Sequence, residues 1–343
     1  MNINDVARHA GVSPSTVSYV LSGKRSITQE TQRRVQTSIR ALGYRPHAGA
    51  RALASRRSNV LALTIPLRTG IHVPVVMQFV GSVVTTARRH DHDVLLLTQE
   101  EGEEGLRRVA DSALVDALIV MDVELHDARI PMLRSLDRPS VLIGLPADTT
   151  GLTCIDLDFA GAGAACVEHL AGLGHRCIGM VGSPPKVYER GTGFAQRARD
   201  GFEAAAERLG VTATLHPCES TVTAATAMVA TMLDEHPDLT AVVVHNEPIV
   251  EPVVHAFQQA GHSVPGDLSI VAICPDEQAE HALLPLTSVA IPATEVGERA
   301  VGLLMAKLAG DDVPDATLLP PRLTVRTSTA TAEAVRHQRR KPP

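Results

Sequence analysis

The sequence predicts a small all-α helix-turn-helix head followed by an α/β two-lobed core with two Rossmann-like parallel sheets. Three observations carry this. Residues 3–42 hold three amphipathic helical segments, the first two separated by a glycine. From residue 59 onward, short apolar runs alternate with amphipathic helical runs, the βαβ texture of doubly wound sheets. Charge divides at the same boundary. Residues 1–57 carry ten Lys and Arg against Asp5 and Glu30, a balance of +8, and the remaining 22 basic and 36 acidic residues leave −14, for a net charge of −6. A basic head on an acidic body is the electrostatic footprint of a DNA-binding domain attached to something else.

Ile3, Val6, Ala7 and Ala10 form the apolar side of the first helix. Gly11 ends it, because glycine takes the left-handed conformation of a tight turn at little cost. Ser13 is a good N-cap and Pro14 sits where a missing N–H is harmless, so a second helix follows to residue 21. Val17, Val20 and Leu21 face inward at helical spacing, while Ser15, Thr16, Ser18 and Tyr19 face outward. A short outward face of hydroxyls is poor core material and suits phosphates and base edges. After a polar loop around Gly23, Thr28 caps a third helix over 29–42, with Val35, Ile39 and Leu42 as its buried stripe. Gly43 ends it. Three helices in about 45 residues, with a glycine turn between the first two, make the helix-turn-helix pattern. The head is residues 1–46.

Residues 47–58, HAGARALASRRS, are Ala-rich and basic. Two turns of isolated helix are not stable in water. The segment is either a linker or a hinge helix that folds only on DNA, with Leu53 as an apolar wedge in the minor groove and Arg51 and Arg56 near phosphates.

The core, 59–327, opens with strand VLALTIP, a helix over 75–90, strand DVLLLT, a helix over 103–112, strand ALIVMDV, a helix over 127–136, and strands SVLIGL and CIDLD. A second series follows: a helix over 159–173, strand CIGMVGS, a helix over 194–209, strand TATLHP, a helix over 221–235, strand AVVVHN, a helix over 249–260, and strand LSIVAIC. Segment SVAIP, a helix over 294–309 and strand RLTVRT close it. These divide into an N-lobe of about 59–157 and 291–315 and a C-lobe of about 158–288 and 316–327. In open α/β sheets ligands sit off the carboxyl ends of the strands, so the loops there line the expected cleft.

Composition excludes several classes. At 343 residues the chain suits two or three units. Aromatic residues are 2% and Trp is absent, so the platforms for stacking single-stranded bases are scarce. The five cysteines, Cys154, Cys166, Cys177, Cys218 and Cys274, are odd in number and form no C-x-x-C, which predicts neither a disulfide framework nor a zinc site and fits a reducing compartment. No signal-peptide pattern opens the chain and no apolar run reaches about 18 residues, so a cytosolic protein without a membrane segment is expected. His90, His92, His169 and His175 lack partners at metal-ligand spacing and read as turn residues; no metal and no cofactor is expected. The G-x-G of Gly191 and Gly193 does not follow the first strand, so GSPPKVYERGTGF reads as a mobile lip of the cleft rather than a nucleotide site. No Ser/His/Asp arrangement is evident, and an enzyme is not expected.

The run DVARHAGVSPSTVSYVLSGKRSITQETQRRVQTSIRALGYRPHAGARALASRRS resembles the LacI/GalR family of transcription regulators. In the body, VEHLAGLGHRCIGMVG and LTSVAIP are similar to two further segments of that family, so the resemblance spans residue 2 to about 327. It implies a periplasmic-binding-protein-like core and a cytoplasmic homodimer. Each head reads half of a near-palindromic double-stranded DNA operator, the segment around Leu53 pairs with its dimer mate, and a small molecule, a sugar or related metabolite, sits in the cleft. The function implied is a repressor controlled by that effector in carbohydrate metabolism.

Residue by residue, the resemblance places base reading on Pro14, Ser15 and Tyr19. Many members carry Arg where Tyr19 stands, and Tyr cannot make the bidentate guanine contact that Arg makes. Ser13, Thr16, Ser18, Ser22 and Thr31 fall on DNA-contact positions, with Arg51, Leu53 and Arg56 in the hinge. The cleft lining falls on His72, Val73, Pro74, Met77, Asp156 and Asn246. Where the family has an arginine, Ala198 stands, and a shift brings in Arg197 or Arg199. Glu247 replaces an Asp, the sugar-binding Asp falls on Cys274 with Asp276 two positions on, and Gly144 stands where a polar or acidic residue is common. Either a different effector binds, or Asp276 and Glu247 act from shifted positions. The alternative is a regulator of the same fold without a metabolite switch, acting constitutively or through a protein partner. A solute-binding protein shares such a body but has no basic helical head. The tail, 328–343, lacks the leucine heptads of a tetramerising bundle and is expected to be a disordered basic extension of a dimer.

Overall fold

The computed structural model describes residues 1–22, 25–44, 57–65, 67–68, 71–98, 102–112 and 114–339. The expected DNA contacts Arg51, Leu53 and Arg56 lie outside the described residues, as does most of the hinge.

The head is α1 (Ile3–Ala10), α2 (Pro14–Ser22) and α3 (Gln29–Ala41). Asn2 caps α1 in a capping box with Asp5, and Gly11 ends it at φ 63° with its N–H on the carbonyls of Ala7 and Arg8. Val6, Ala7, Ala10, Val17, Val35 and Tyr44 are buried together, with Ile3, Val20, Leu21, Ile39 and Leu42 packed around them. Arg34 serves this packing: its Nη2 donates to the carbonyls of Ala10 at 2.6 Å and Gly11 at 3.1 Å, filling acceptors left open at the end of α1.

The core alternates strand and helix as expected. The N-lobe contains β1 (Val60–Thr64), α4 (Val73–Arg89), β2 (Asp93–Leu97), α5 (Gly102–Asp111), β3 (Ala117–Val120), α6 (Ile130–Ser135), β4 (Ser140–Ile143) and β5 (Cys154–Leu157). The chain then crosses to the C-lobe, with α7 (Phe159–Gly172), β6 (Cys177–Gly182), α8 (Pro185–Glu189), α9 (Gly193–Leu209), β7 (Thr212–Pro217), α10 (Val222–Glu235) and β8 (Ala241–Val244). A 3-10 turn over Glu247–Ile249 leads into α11 (Val250–Gln259), followed by β9 (Ser269–Cys274), α12 (Asp276–His281) and β10 (Thr287–Ala290). The last part is α13 (Ala293–Ala309), β11 (Ala316–Leu319), β12 (Leu323–Thr324) and α14 (Ala332–Arg339).

The N-lobe sheet runs β11-β5-β4-β3-β1-β2, parallel throughout. The C-lobe sheet runs β12-β10-β9-β8-β6-β7 and is parallel except for β12, which pairs antiparallel with β10. Helices cover both faces, so the central strands are buried end to end, as the apolar runs require. In the C-lobe, α7 and α9 cross closely enough that a Cβ on Gly201 would lie 2.0 Å from the Ala160 carbonyl oxygen. Among the described residues no helix is long and apolar enough to cross a membrane.

Three expectations need correction. Residues 316–319 belong to the N-lobe, not the C-lobe: β11 pairs in parallel with β5, so the chain crosses back only before β12. The lip at 183–194 contains a helical turn, α8, begun by Pro185 and holding the buried Val187. The tail is not disordered from residue 328. Ser328 is fully buried between β9 and β10, its Oγ donating to the Ile270 carbonyl at 2.6 Å and accepting the Thr287 N–H at 2.8 Å. The Ala332 N–H reaches the Leu173 carbonyl at 2.9 Å, and α14 buries Ala332 and Val335 against the body. Two small apolar contacts and satisfied backbone groups suffice without a heptad.

Candidate functional site

Two regions gather the expected residues. In the head, Ser13 Oγ accepts the Thr16 N–H at 3.1 Å and lies 2.9 Å from Thr16 Oγ1, so this pair caps α2 and presents its hydroxyls at the helix start. Pro14 and Ser15 are exposed beside it, with Ser18 and Tyr19 half-buried further along. The Arg25 guanidinium lies over the Tyr19 ring at 5.5 Å, a cation–π contact that orients the phenol. Thr31 is tied to the cap of α3, with Thr28 Oγ1 donating to its Oγ1 at 3.0 Å. The face of Pro14, Ser15, Thr16 and Tyr19 at the start of a helix, where N–H groups point outward, fits phosphates and base edges.

Where the hinge enters the core, the buried Asp116 takes the Ser58 N–H at 2.7 Å, the Ser58 hydroxyl at 3.0 Å and the Asn59 N–H at 2.7 Å. A buried carboxylate saturated by backbone donors is a firm anchor. It fixes Ser58 and Asn59 to the N-lobe.

The second region is a cleft between the lobes, lined by residues of both sheets' loops. It lies off the carboxyl ends of β1, β3, β4, β6 and β8, as the doubly wound rule requires. Its wall is mainly apolar, with Phe79 from the N-lobe and an aromatic cluster from the C-lobe. Phe159, Phe194 and His245 pack at centroid distances of 5.6–5.7 Å. His245 is fully buried, neither ring nitrogen has a hydrogen-bond partner among the described residues, and burial pushes its pKa down to about 4.

Of the expected cleft residues, His72, Asp156, Asn246 and Glu247 line it. Asn246 is committed to the scaffold: its Nδ2 donates to the carbonyls of Gly182 at 3.1 Å and Cys218 at 2.7 Å, while its Oδ1 accepts from Ser220 Oγ at 2.9 Å. Burial pushes Glu247 up to about 7, so near neutrality its carboxyl is available both to donate and to accept. Asp156, at the end of β5 in the N-lobe, is buried and paired with Nη2 of Arg197 from α9 in the C-lobe. Arg197 also donates to the Leu157 carbonyl at 3.2 Å and lies over the Phe159 ring at 5.6 Å. Burial raises the Asp156 pKa and the guanidinium pulls it back.

The other expected residues lie elsewhere. Val73 and Met77 are 46% and 49% exposed, and Pro74 is exposed beside them; Val75, Val76 and Phe79 of the same helix line the cleft instead. Helical periodicity decides this: an offset of about two residues, half a turn, exchanges the solvent face for the inner face. Arg199 turns to Asp200, with contacts of 2.6 and 2.9 Å, and does not line the cleft. Cys274 is fully buried in the core, its thiol pushed up to about 12 chiefly by burial. Asp276 lies outside the lining and pairs with Arg326 at 2.6 Å.

The sequence reading missed Asp122, Arg190, Ser183, Ser220 and the aromatic trio. Asp122 adopts φ 54° just after β3, and its carboxylate lies 3.5 Å from Arg68 of the N-lobe. Burial raises its pKa, opposed by Arg68 and Arg190. Position after a strand was the signal for Asp122 and His245. The lobes also meet directly, since Glu124 and Thr192 form a β-bridge, with Leu125 N–H on the Gly191 carbonyl at 2.8 Å and Gly193 N–H on the Val123 carbonyl at 2.9 Å.

Comparison with known proteins agrees with both regions. The family described as bacterial regulatory proteins, lacI family, matches residues 2–47, and the periplasmic binding protein-like domain matches residues 167–329. The chain is 30% identical over 346 residues to the HTH-type transcriptional regulator AglR of Rhizobium meliloti (strain 1021), covering 97% of this chain and 95% of that protein. Its fold is similar to that of the lac repressor dimer bound to operator and the anti-inducer ONPF, with a TM-score of 0.81 at 23% identity, over 96% of this chain and 99% of that one. It is also similar to the CelR–cellobiose complex, with a TM-score of 0.66 at 24% identity over 96% and 99% of the chains. With a helix-turn-helix head whose start is open to DNA and a two-lobed core closed around a cleft, this chain belongs to the lacI family of bacterial regulatory proteins and is a DNA-binding transcriptional regulator rather than an enzyme.

Proposed function

We propose that this regulator is a cytoplasmic, homodimeric repressor whose grip on its operator is set by a small metabolite of sugar size in the cleft. The observation that carries the reading is the cleft itself, lined from both lobes, so that an occupant touches two bodies at once; Arg197, outside the lining, joins the lobes beside it through Asp156. Its chemistry suits a molecule with an apolar face and several hydroxyls: C–H surface against Phe159 and Phe194, hydroxyls toward Glu247, Arg190 and Asp122. The CelR complex contains cellobiose. Only differential affinity for two lobe arrangements can shift DNA binding.

In the head, Pro14, Ser15 and Tyr19 read bases and Ser13, Thr16, Ser18, Ser22 and Thr31 position α2 on phosphates. Leu53 wedges the minor groove, flanked by Arg51 and Arg56. The dimer reading is supported by Val73, Met77 and Val84, which share one face of α4 and are 38–49% exposed, an apolar stripe that a second copy would cover.

Thermal-shift screening of sugars, sugar phosphates and nucleosides tests the cleft. One compound that raises the melting temperature strongly, as linkage requires of a ligand selective for the folded state, supports the reading. Uniform silence favours the second reading, a regulator without a metabolite switch, for which the Asp156–Arg197 pair is the supporting observation: a carboxylate of the cleft wall already has its cationic partner within the protein.

A further inference from the structure

β7 is an edge strand of the C-lobe sheet, and α10 ends close to it. His216 on β7, Glu235 at the last position of α10 and His236 at its C-cap each place one ligand atom within 4.8 Å of the others. The two imidazole rings meet edge to face, 6.2 Å between centroids at 75°. His216 Nε2 is buried and has no hydrogen-bond partner among the described residues. A buried, unsatisfied ring nitrogen costs free energy, and such a group in a native fold calls for an unseen partner.

We propose that His216, Glu235 and His236 form a binding site for a divalent transition metal of the zinc class, completed by water. The donor set selects the ion. Two imidazoles and one carboxylate suit zinc, whereas calcium and magnesium require oxygen donors throughout. Tetrahedral zinc with ligands at about 2.0–2.1 Å needs donor atoms about 3.3 Å apart. Closing from 4.8 Å or less to that spacing takes at most about 1.5 Å of movement, part of which the exposed Glu235 can supply by side-chain rotation. Bound there, the ion ties the sheet edge to the end of α10. The same strand–helix connection carries Cys218 and Ser220, which hold Asn246 at the cleft, so the metal steadies one wall of the effector site.

The test uses the full-length protein, stripped with chelator and titrated with cobalt(II), read by visible absorption, and with zinc(II), read by calorimetry and melting temperature. One equivalent per chain, a zinc Kd in the micromolar range or tighter and a rise in melting temperature are expected. Glu235→Ala and His236→Ala should each weaken binding at least tenfold, with metal-free melting close to wild type because Glu235 is exposed and His236 half-exposed. His216→Gln with His236→Gln should abolish it. No uptake by the wild type would overturn the proposal, as would binding that survives in Glu235→Ala and the double variant at wild-type affinity.

Discussion

Arg197 on α9 of the C-lobe holds the buried carboxylate of Asp156 at the end of β5 in the N-lobe. The two residues stand at the first chain crossing, one on each lobe. Removing one partner of a buried pair leaves an uncompensated charge, a loss of about 3–5 kcal/mol. Arg197→Ala is therefore expected to lower unfolding stability by that order in urea titration, and the double variant Arg197→Met with Asp156→Leu to recover most of it. A loss under about 1 kcal/mol in Arg197→Ala would mean the pair behaves as a solvated surface bridge.

His245 and Glu247, two residues apart at the cleft, pull the pH dependence of stability in opposite directions. His245 titrates near 4 when folded and near 6.5 when unfolded. Between those values the unfolded chain binds more protons, so stability rises with pH, by about 3 kcal/mol in full. Glu247 titrates near 7 when folded and near 4.5 when unfolded, so over 4.5–7 the folded chain binds more protons and stability falls with pH. The two slopes largely cancel in the wild type. His245→Phe should leave stability falling across pH 4.5–7 and Glu247→Gln should leave it rising, as read by denaturant midpoints at each pH. Identical profiles in both variants would remove the assignment.

Gly201→Ala gives a test of the α7–α9 crossing by sign. In an open helix this change stabilises by about 0.5–1 kcal/mol. Here the new Cβ would meet the Ala160 carbonyl oxygen at 2.0 Å, a backbone atom that cannot step aside alone. A loss of at least about 2 kcal/mol, with a lower melting temperature, is expected. A gain would show that the helices separate freely.

Tyr19 is half-buried, with the Arg25 guanidinium over its ring, and base reading is the role proposed for it. Tyr19→Arg should change the preferred base at one position per half-site in a selection from randomised duplexes, by about 1–3 kcal/mol. An unchanged preference would reduce Tyr19 to a residue that positions α2.

Much of this molecule was legible in its residues. Gly11, Ser13 and Pro14 punctuate the head as local chemistry demands, and the apolar runs of both sheets declared themselves because buried parallel strands need them. What failed had a common cause: side-chain direction and long-range pairing leave little local trace. Met77 and Phe79 differ by two positions on one helix, yet one faces solvent and the other the cleft. Asp156 and Arg197 were both named, but nothing at a separation of 41 residues said that they bind each other. β11 reads as a loop because its central position faces out, Leu318 being 44% exposed, and only its pairing with β5 makes it a strand. His175 was correctly a turn residue. Its Nε2 faces the Ala330 carbonyl at 3.0 Å and its Nδ1 the Thr240 hydroxyl at 2.9 Å, and a carbonyl only accepts, so Nε2 carries the proton. That bond also holds the tail that was expected to be loose.

Occupancy of the cleft is expected to set the grip of the head on DNA. The direct measurement is fluorescence anisotropy of a duplex selected from a randomised pool, titrated with the full-length protein with and without the metabolite that gives the largest thermal shift. A near-palindromic duplex should be bound at least about 10³-fold more tightly than random sequence, with an apparent Kd that changes at least tenfold when the metabolite is present. An operator affinity that stays the same while the metabolite is demonstrably bound would contradict it.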